Sequence, residues 1–142
     1  MRKMKKEITT LLVGSLMLMG CGSSQKAASV NDLAGEWEIV RVNGKSVQAE
    51  ETPFLGFNVA ENQLYGNAGC NSLMGTLETN ADKPEVLSFG AVGSTKRFCA
   101  DMATEDAILQ AIGKVRNFSF SNDVLFLKDE SGHPLFELKK RL

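Results

Sequence analysis

The chain has one histidine, one tryptophan, one tyrosine and three cysteines in 142 residues, and these shortages remove several chemistries at once. A zinc site takes three or four ligands. Cys70, Cys99 and His133 could supply three at most, so no metal and no other cofactor is expected. A cysteine–histidine nucleophile pair would require His133 to reach Cys70 or Cys99 in the fold. His133 lies between Gly132 and Pro134, the setting of a surface turn. The Cys-x-x-Cys spacing of thiol oxidoreductases is missing. No loop has the flanking glycines of a phosphate cradle, and Gly66-Asn67-Ala68-Gly69 reads as a turn. Glu50-Glu51 and Asp129-Glu130 are carboxylate neighbours in turns; adjacent side chains diverge, so these are solvated charges. No apolar run approaches the ~20 residues of a membrane-spanning helix. The run at residues 8–19 would rise only about 18 Å, against a hydrocarbon core of ~30 Å.

That short run has another meaning. Arg2, Lys3, Lys5 and Lys6 precede it, and Leu18-Met19-Gly20-Cys21 closes it. A basic start, an apolar stretch, a small residue and a cysteine make the pattern of a bacterial lipoprotein signal. Gly20 lets a peptidase approach the backbone, and the Cys21 thiol accepts the diacylglyceryl group. Residues 1–20 are then removed, residues 21–31 form a flexible lipid-anchored tether, and residues 32–142 form the domain. Two or three acyl chains on Cys21, at about 0.8 kcal/mol per buried methylene, anchor the chain stably to a membrane. Gly22, rather than an acidic residue, follows Cys21 and favours the outer membrane, facing the periplasm.

Removing the signal changes the balance of the chain. Four of 16 basic residues leave with one of 17 acidic residues, so the mature net charge is −4. A mildly acidic domain without a polybasic patch does not suit nucleic acid. The remaining 122 residues make one domain, large enough for a core without a metal. Lipidation consumes one cysteine and leaves the pair Cys70 and Cys99. In an oxidising compartment an even pair points to a disulfide. Two buried thiols, or a reactive or metal-binding pair, are the other arrangements the count permits.

Residues 35–59 read as two strands joined through an Asn43-Gly44 hairpin turn. Glu61-Asn62 turns into Leu64 and Tyr65, and strands at 73–79 and 85–89 flank a polar turn at 80–84. Residues 101–116 carry the helical period: Ile108, Ala111, Ile112 and Val115 share one face, with Asp106, Gln110 and Lys114 opposite. Asp101 is placed to cap the first turn, and Glu105 and Asp106 suit the positive helix end. Lys114 and Arg116 suit the other end. A meander of three strands follows, with turns at Asn122-Asp123 and Glu130-Ser131-Gly132, and Lys139, Lys140 and Arg141 are expected to end it in solvent. The pattern predicts an α+β domain: a mainly antiparallel sheet of about eight strands, curled or partly closed into a barrel around one helix.

Two stretches carry a family resemblance. Gly66-Asn67-Ala68-Gly69-Cys70-Asn71 with Gly75, and Ser94-Thr95-Lys96-Arg97-Phe98-Cys99 ahead of the helix, resemble the META domain family of HslJ-like heat-shock lipoproteins. Gly35-Glu36-Trp37-Glu38-Ile39 with Asn43-Gly44-Lys45 looks like the family's opening strand and hairpin, and residues 53–57 like its second strand. Arg97, Phe98 and Leu73 depart from the residues usual at their positions. The resemblance implies an envelope lipoprotein tied to stress tolerance, and brings no reaction, cofactor or catalytic set.

The expected function is that of a non-catalytic, lipid-anchored envelope protein acting through an envelope protein or local membrane support. A small-ligand or lipid-binding module in a cracked barrel is the alternative. Ser94, Thr95, Lys96 and Arg97 combine hydroxyls with two cations and could hold an anion such as a phosphate or lipid headgroup; the other reading is a polar loop before a helix. A thiol redox enzyme is the third reading, because Cys99 precedes a helix N-terminus that can lower a thiol pKa.

Overall fold

The computed structural model describes residues 27–142. The signal at 1–20, Cys21 and most of the tether lie outside the described residues. Among those described, a 3-10 turn at Val30–Leu33 leads into β1 (Gly35–Val42), β2 (Lys45–Ser46), β3 (Phe54–Asn58), β4 (Gln63–Asn67), β5 (Ser72–Thr79) and β6 (Leu87–Ser94). Helix α1 (Ala103–Ile112) follows, then β7 (Asn117–Ser121), β8 (Val124–Lys128) and β9 (Pro134–Lys140).

The nine strands form one sheet in the order β6-β5-β4-β3-β1-β9-β8-β7, with the short β2 paired to β1. Every pairing is antiparallel. The sheet curls far enough for its two ends to meet at one point. There Val86 bridges Asn117, the Phe118 amide donates to the Glu85 carbonyl at 3.0 Å, and the Leu87 amide donates to the Arg116 carbonyl at 3.1 Å. Bulges between Ile39 and Arg41 in β1 and between Met74 and Thr76 in β5 bend those strands. The fold is therefore the α+β domain, mainly antiparallel and curled into a partial barrel, that the pattern predicts.

Alternation explains the core. Trp37, Ile39, Leu55, Phe57, Leu64, Leu73, Leu77, Phe118, Leu125, Leu127 and Leu138 are buried on the inner face. Ile108, Ala111, Ile112 and Val115 join the same cluster from the helix segment, as their shared face requires. The two-residue turns follow local chemistry. Asn43 and Gly44 take φ values of 50° and 77°, and Asn122 and Asp123 take 48° and 64°, the positive-φ pairs of tight hairpins. On the outer face, the Tyr65 ring lies directly over its cross-strand partner Gly56, where a Cβ would come within 2.2 Å of it.

Three boundaries differ from the sequence reading. The helix spans Ala103–Ile112 instead of 101–116. Asp101 stays outside, accepting from the Ala103 amide at 2.9 Å. Beyond Gly113 the chain tightens into turns and joins the sheet, with the Arg116 amide on the Lys128 carbonyl at 2.8 Å. Arg116 still serves the helix end, because its guanidinium donates to the Gly113 and Val115 carbonyls. The strand expected at 85–89 instead runs Leu87–Ser94, since pairing with β5 carries its glycine-rich half. Lys140 and Arg141 do not simply end in solvent: the Lys140 ammonium donates to the Ala34 carbonyl and sits 4.6 Å from the Trp37 ring centroid. The Arg141 guanidinium covers the Phe54 ring at 4.3 Å and pairs with Glu36 at 3.3 Å.

Candidate functional site

The two resembling stretches come together in space. Cys70 sits in the loop between β4 and β5, and Cys99 in the connection from β6 to α1. They form a disulfide with a Cα–Cα distance of 6.1 Å, within the usual range for a bridge. Of the arrangements the count permits, the structure contains the disulfide.

Asn71, next to Cys70, is the hub of the surrounding bonds. Its backbone amide donates to Glu105 Oε1 at 2.6 Å, and its side-chain Nδ2 donates to Glu105 Oε2 at 2.7 Å and to the Arg97 carbonyl at 3.0 Å. Its Oδ1 accepts from the Thr95 hydroxyl at 2.9 Å and from the Arg97 amide at 2.6 Å. Asn71 is 2% exposed and Glu105 3%, so the two bonds between them are made out of water. A buried carboxylate is costly unless bonded. Here two N–H donors and the positive end of α1, whose first turn holds Glu105, support it.

This arrangement places each residue of the proposed anion loop. Ser94 ends β6 opposite Leu73. Thr95 accepts from the Ser72 amide at 3.1 Å while donating to Asn71. Lys96 is exposed. The Arg97 guanidinium donates to the Cys70 carbonyl and lies 3.6 Å from the Glu51 carboxylate. Thr95 and Arg97 thus direct polar groups to the protein's own atoms. The recess beside Cys99, Ala49 and Glu105 is about 30 Å³, room for about one water. Phe98 projects outward, 94% exposed.

Asn71 and Glu105 were not singled out as partners by sequence reasoning. One signal was available: Glu105 precedes Ile108 by three and Ile112 by seven, so it lies on the buried stripe of α1. A carboxylate there needs donors. The donor's identity, 34 residues away, has no local signature.

Away from the hub, Asp129 and Tyr65 are shifted from ordinary behaviour. His133 lies in the turn between β8 and β9. Its backbone amide, donating at 2.9 Å, is the main cause that holds the Asp129 carboxyl below the usual range. The Ser131 amide at 2.9 Å and the His133 ring at 3.5 Å act in the same direction. Partial burial, then the neighbouring Glu36 carboxylate, raises the Tyr65 hydroxyl above its usual range.

A separate recess of about 410 Å³ opens where the described chain begins. Trp37 and Phe120 line it, with ring centroids 5.7 Å apart. Ala27 and Ala28 also line it, as do the charged Asp32, Asp123 and Lys140. Sequence reasoning placed Trp37 in an opening strand and did not foresee this recess.

The META domain family model matches residues 30–141. No curated protein matches the chain. Among solved structures, one NMR structure aligns at 17% identity and a TM-score of 0.58, covering 75% of this chain and 89% of its own. An NMR structure of a protein from Burkholderia xenovorans aligns at 20% identity and 0.57, covering 78% and 86%. The crystal structure of a DUF4847 family protein from Bacteroides vulgatus aligns at 12% identity and 0.55, covering 77% and 94%. At these identities the structural likenesses speak for the fold alone. With the family model spanning every strand and the helix, and the fold shared, the chain belongs to the META domain family.

Proposed function

We propose that this protein is a non-catalytic lipoprotein of the cell envelope, held by acyl chains on Cys21 in the outer membrane and facing the periplasm. In this reading it supports stress tolerance through contacts with an envelope protein. The observation that carries the reading is the Cys70–Cys99 disulfide beside the Asn71–Glu105 hub. Disulfides persist in oxidising compartments, which agrees with export. The polar groups gathered there bond one another, the behaviour of a buckle and not of a reaction centre. Cys70 is 1% exposed, which shields its sulfur from an attacking thiolate.

Fractionation tests the anchor. Cys21→Ala should move the protein from the membrane fraction into the soluble periplasm, and continued co-sedimentation with membranes would defeat the reading. Alkylation without reductant tests the chemistry: Cys70 and Cys99 should stay unmodified, and rapid labelling of either would favour a thiol enzyme.

A second reading, a small-ligand module, is favoured by the aromatic-lined recess at Trp37 and Phe120, whose volume of about 410 Å³ lies in the range of small-molecule sites.

A further inference from the structure

We infer that the outer face of the sheet binds a glycan, with one pyranose ring stacked on Tyr65 and a neighbouring sugar held in the recess beside Glu38. The inference rests neither on the lipid anchor nor on the recess at Trp37.

The posture of Tyr65 is the first observation. A Cβ at Gly56, its cross-strand partner, would sit nearly equidistant from Cζ, Cε1 and Cε2 of the ring. The ring therefore lies face-on against β3, in a place that any side chain at position 56 would occupy. Among the described residues no ring or cation stacks on its other face. Phe54 meets Tyr65 edge-on, with centroids 6.4 Å apart, and the Arg141 guanidinium stacks on Phe54 instead. Met74, the cross-strand partner of Tyr65 in β5, is 71% exposed and widens the apolar floor.

The second is the polar rim. The Glu36 carboxylate neighbours the Tyr65 hydroxyl and pairs with Arg141 at 3.3 Å. A wholly apolar ligand would cover those groups without bonding them. A pyranose has an apolar C–H face to set on the ring, and hydroxyls at its edge that both donate and accept.

The third is a recess of about 480 Å³, the size of small-molecule sites. It adjoins the aromatic floor through Glu38, the cross-strand partner of Phe54. Glu38, Ser46, Gln48 and Thr52 line it, and their side chains hydrogen-bond no described residue. At the Asn71 hub, by contrast, the polar groups bond one another. A carboxylate, an amide and two hydroxyls left open offer donors and acceptors to a second sugar. Two adjoining subsites call for an oligosaccharide rather than a single sugar.

Tyr65 is the sole tyrosine, so its ring gives one set of NMR signals. Chitotriose and cellotriose, alike in linkage, are titrated into the full chain in dodecylphosphocholine micelles, which present no sugar. The expected result is a saturable shift of the Tyr65 ring signals, with saturation transfer from protein to sugar. Tyr65→Phe should keep the affinity, because the ring face remains. Tyr65→Leu should lose about tenfold, the scale of one aromatic contact. Glu38→Ala should lose about fivefold, the scale of one hydrogen bond. Glu38 is exposed and bonds nothing in the fold, so this variant keeps the test open if Tyr65→Leu does not fold.

No saturable response to either trisaccharide overturns the inference and leaves Tyr65 as packing over Gly56. Unchanged affinity in Tyr65→Leu or in Glu38→Ala also overturns it. So does an equal response to cyclohexanol at matched concentration, which would reduce the site to apolar surface. Tighter binding of chitotriose assigns the glycan to N-acetylhexosamine chains, and equal or tighter binding of cellotriose assigns it to plain hexose chains.

Discussion

Glu105 shows how one residue changes meaning between sequence and structure. In the sequence it is one of two acidic residues in the first turn of a helix, where either suits the dipole. In the structure Asp106 stays exposed while Glu105 is buried and accepts both the backbone and side-chain N–H of Asn71. Glu105→Ala should therefore leave those two donors without an acceptor. The expected loss is about 2–3 kcal/mol, measured by urea unfolding, since stranded buried polar groups carry a full desolvation cost. An effect within about 0.5 kcal/mol would mean that the donors find water. Asp129 gives a pH-dependent case. Its carboxyl is held below the usual range by the amides of His133 and Ser131, so the folded state favours the ionised form. That contribution is present above the unfolded value, about 3.9, and is lost as pH falls through the lower folded value. The Tm gap between the native chain and Asp129→Ala should hold steady from neutral pH to about 5 and then narrow below about 4. A gap that widens in acid would reverse the assignment. His133 was legible as a turn histidine from its Gly and Pro neighbours, and it does occupy the turn between β8 and β9.

At the scale of elements, the hairpins were the most legible. Asn-Gly at 43–44 and Asn-Asp at 122–123 adopt positive φ cheaply, so residue type specifies the turn before any tertiary contact forms. The helix face was legible for the same local reason, its 3.6-residue period. The glycine-rich half of β6 was not. Gly90, Ala91 and Gly93 have no strand preference of their own, and only the neighbouring β5, across a bulge, draws them into the sheet. The disulfide also acts between elements, tying the β4–β5 loop to the approach of α1 across 29 residues. Replacing both Cys70 and Cys99 with serine should cost roughly 3–4 kcal/mol by the chain-entropy account. Equilibrium unfolding of the double variant without reductant measures it. A loss below about 1 kcal/mol would show that the Asn71 hub alone holds the loop.

At the scale of the whole molecule, the distinctive event is the meeting of the sheet's two ends. The amides of Leu87 and Phe118 cross that seam to the carbonyls of Arg116 and Glu85. They should therefore rank among the slowly exchanging amides in native-state hydrogen exchange, as core strand positions do. Fast exchange at both would mean that the half-barrel is open along its whole length. The chain's order of strands, turns and single helix foretold an antiparallel sheet wrapped on a helix, because each strand, turn and amphipathic face is written in neighbouring residues. The sequence by itself therefore determined the class of fold, the tight turns, the apolar face of the helix and the pair of cysteines able to bridge. Only the tertiary structure decided where the helix stops, that Glu105 answers Asn71, that Thr95 and Arg97 spend polar groups on the hub, and that Trp37 meets Phe120 beside a recess. Those are contacts between residues from 24 to 83 positions apart or, at the helix end, the pull of a strand. Periodicity and local preference reach over a few residues, whereas such pairings exist only once the sheet has closed on its core.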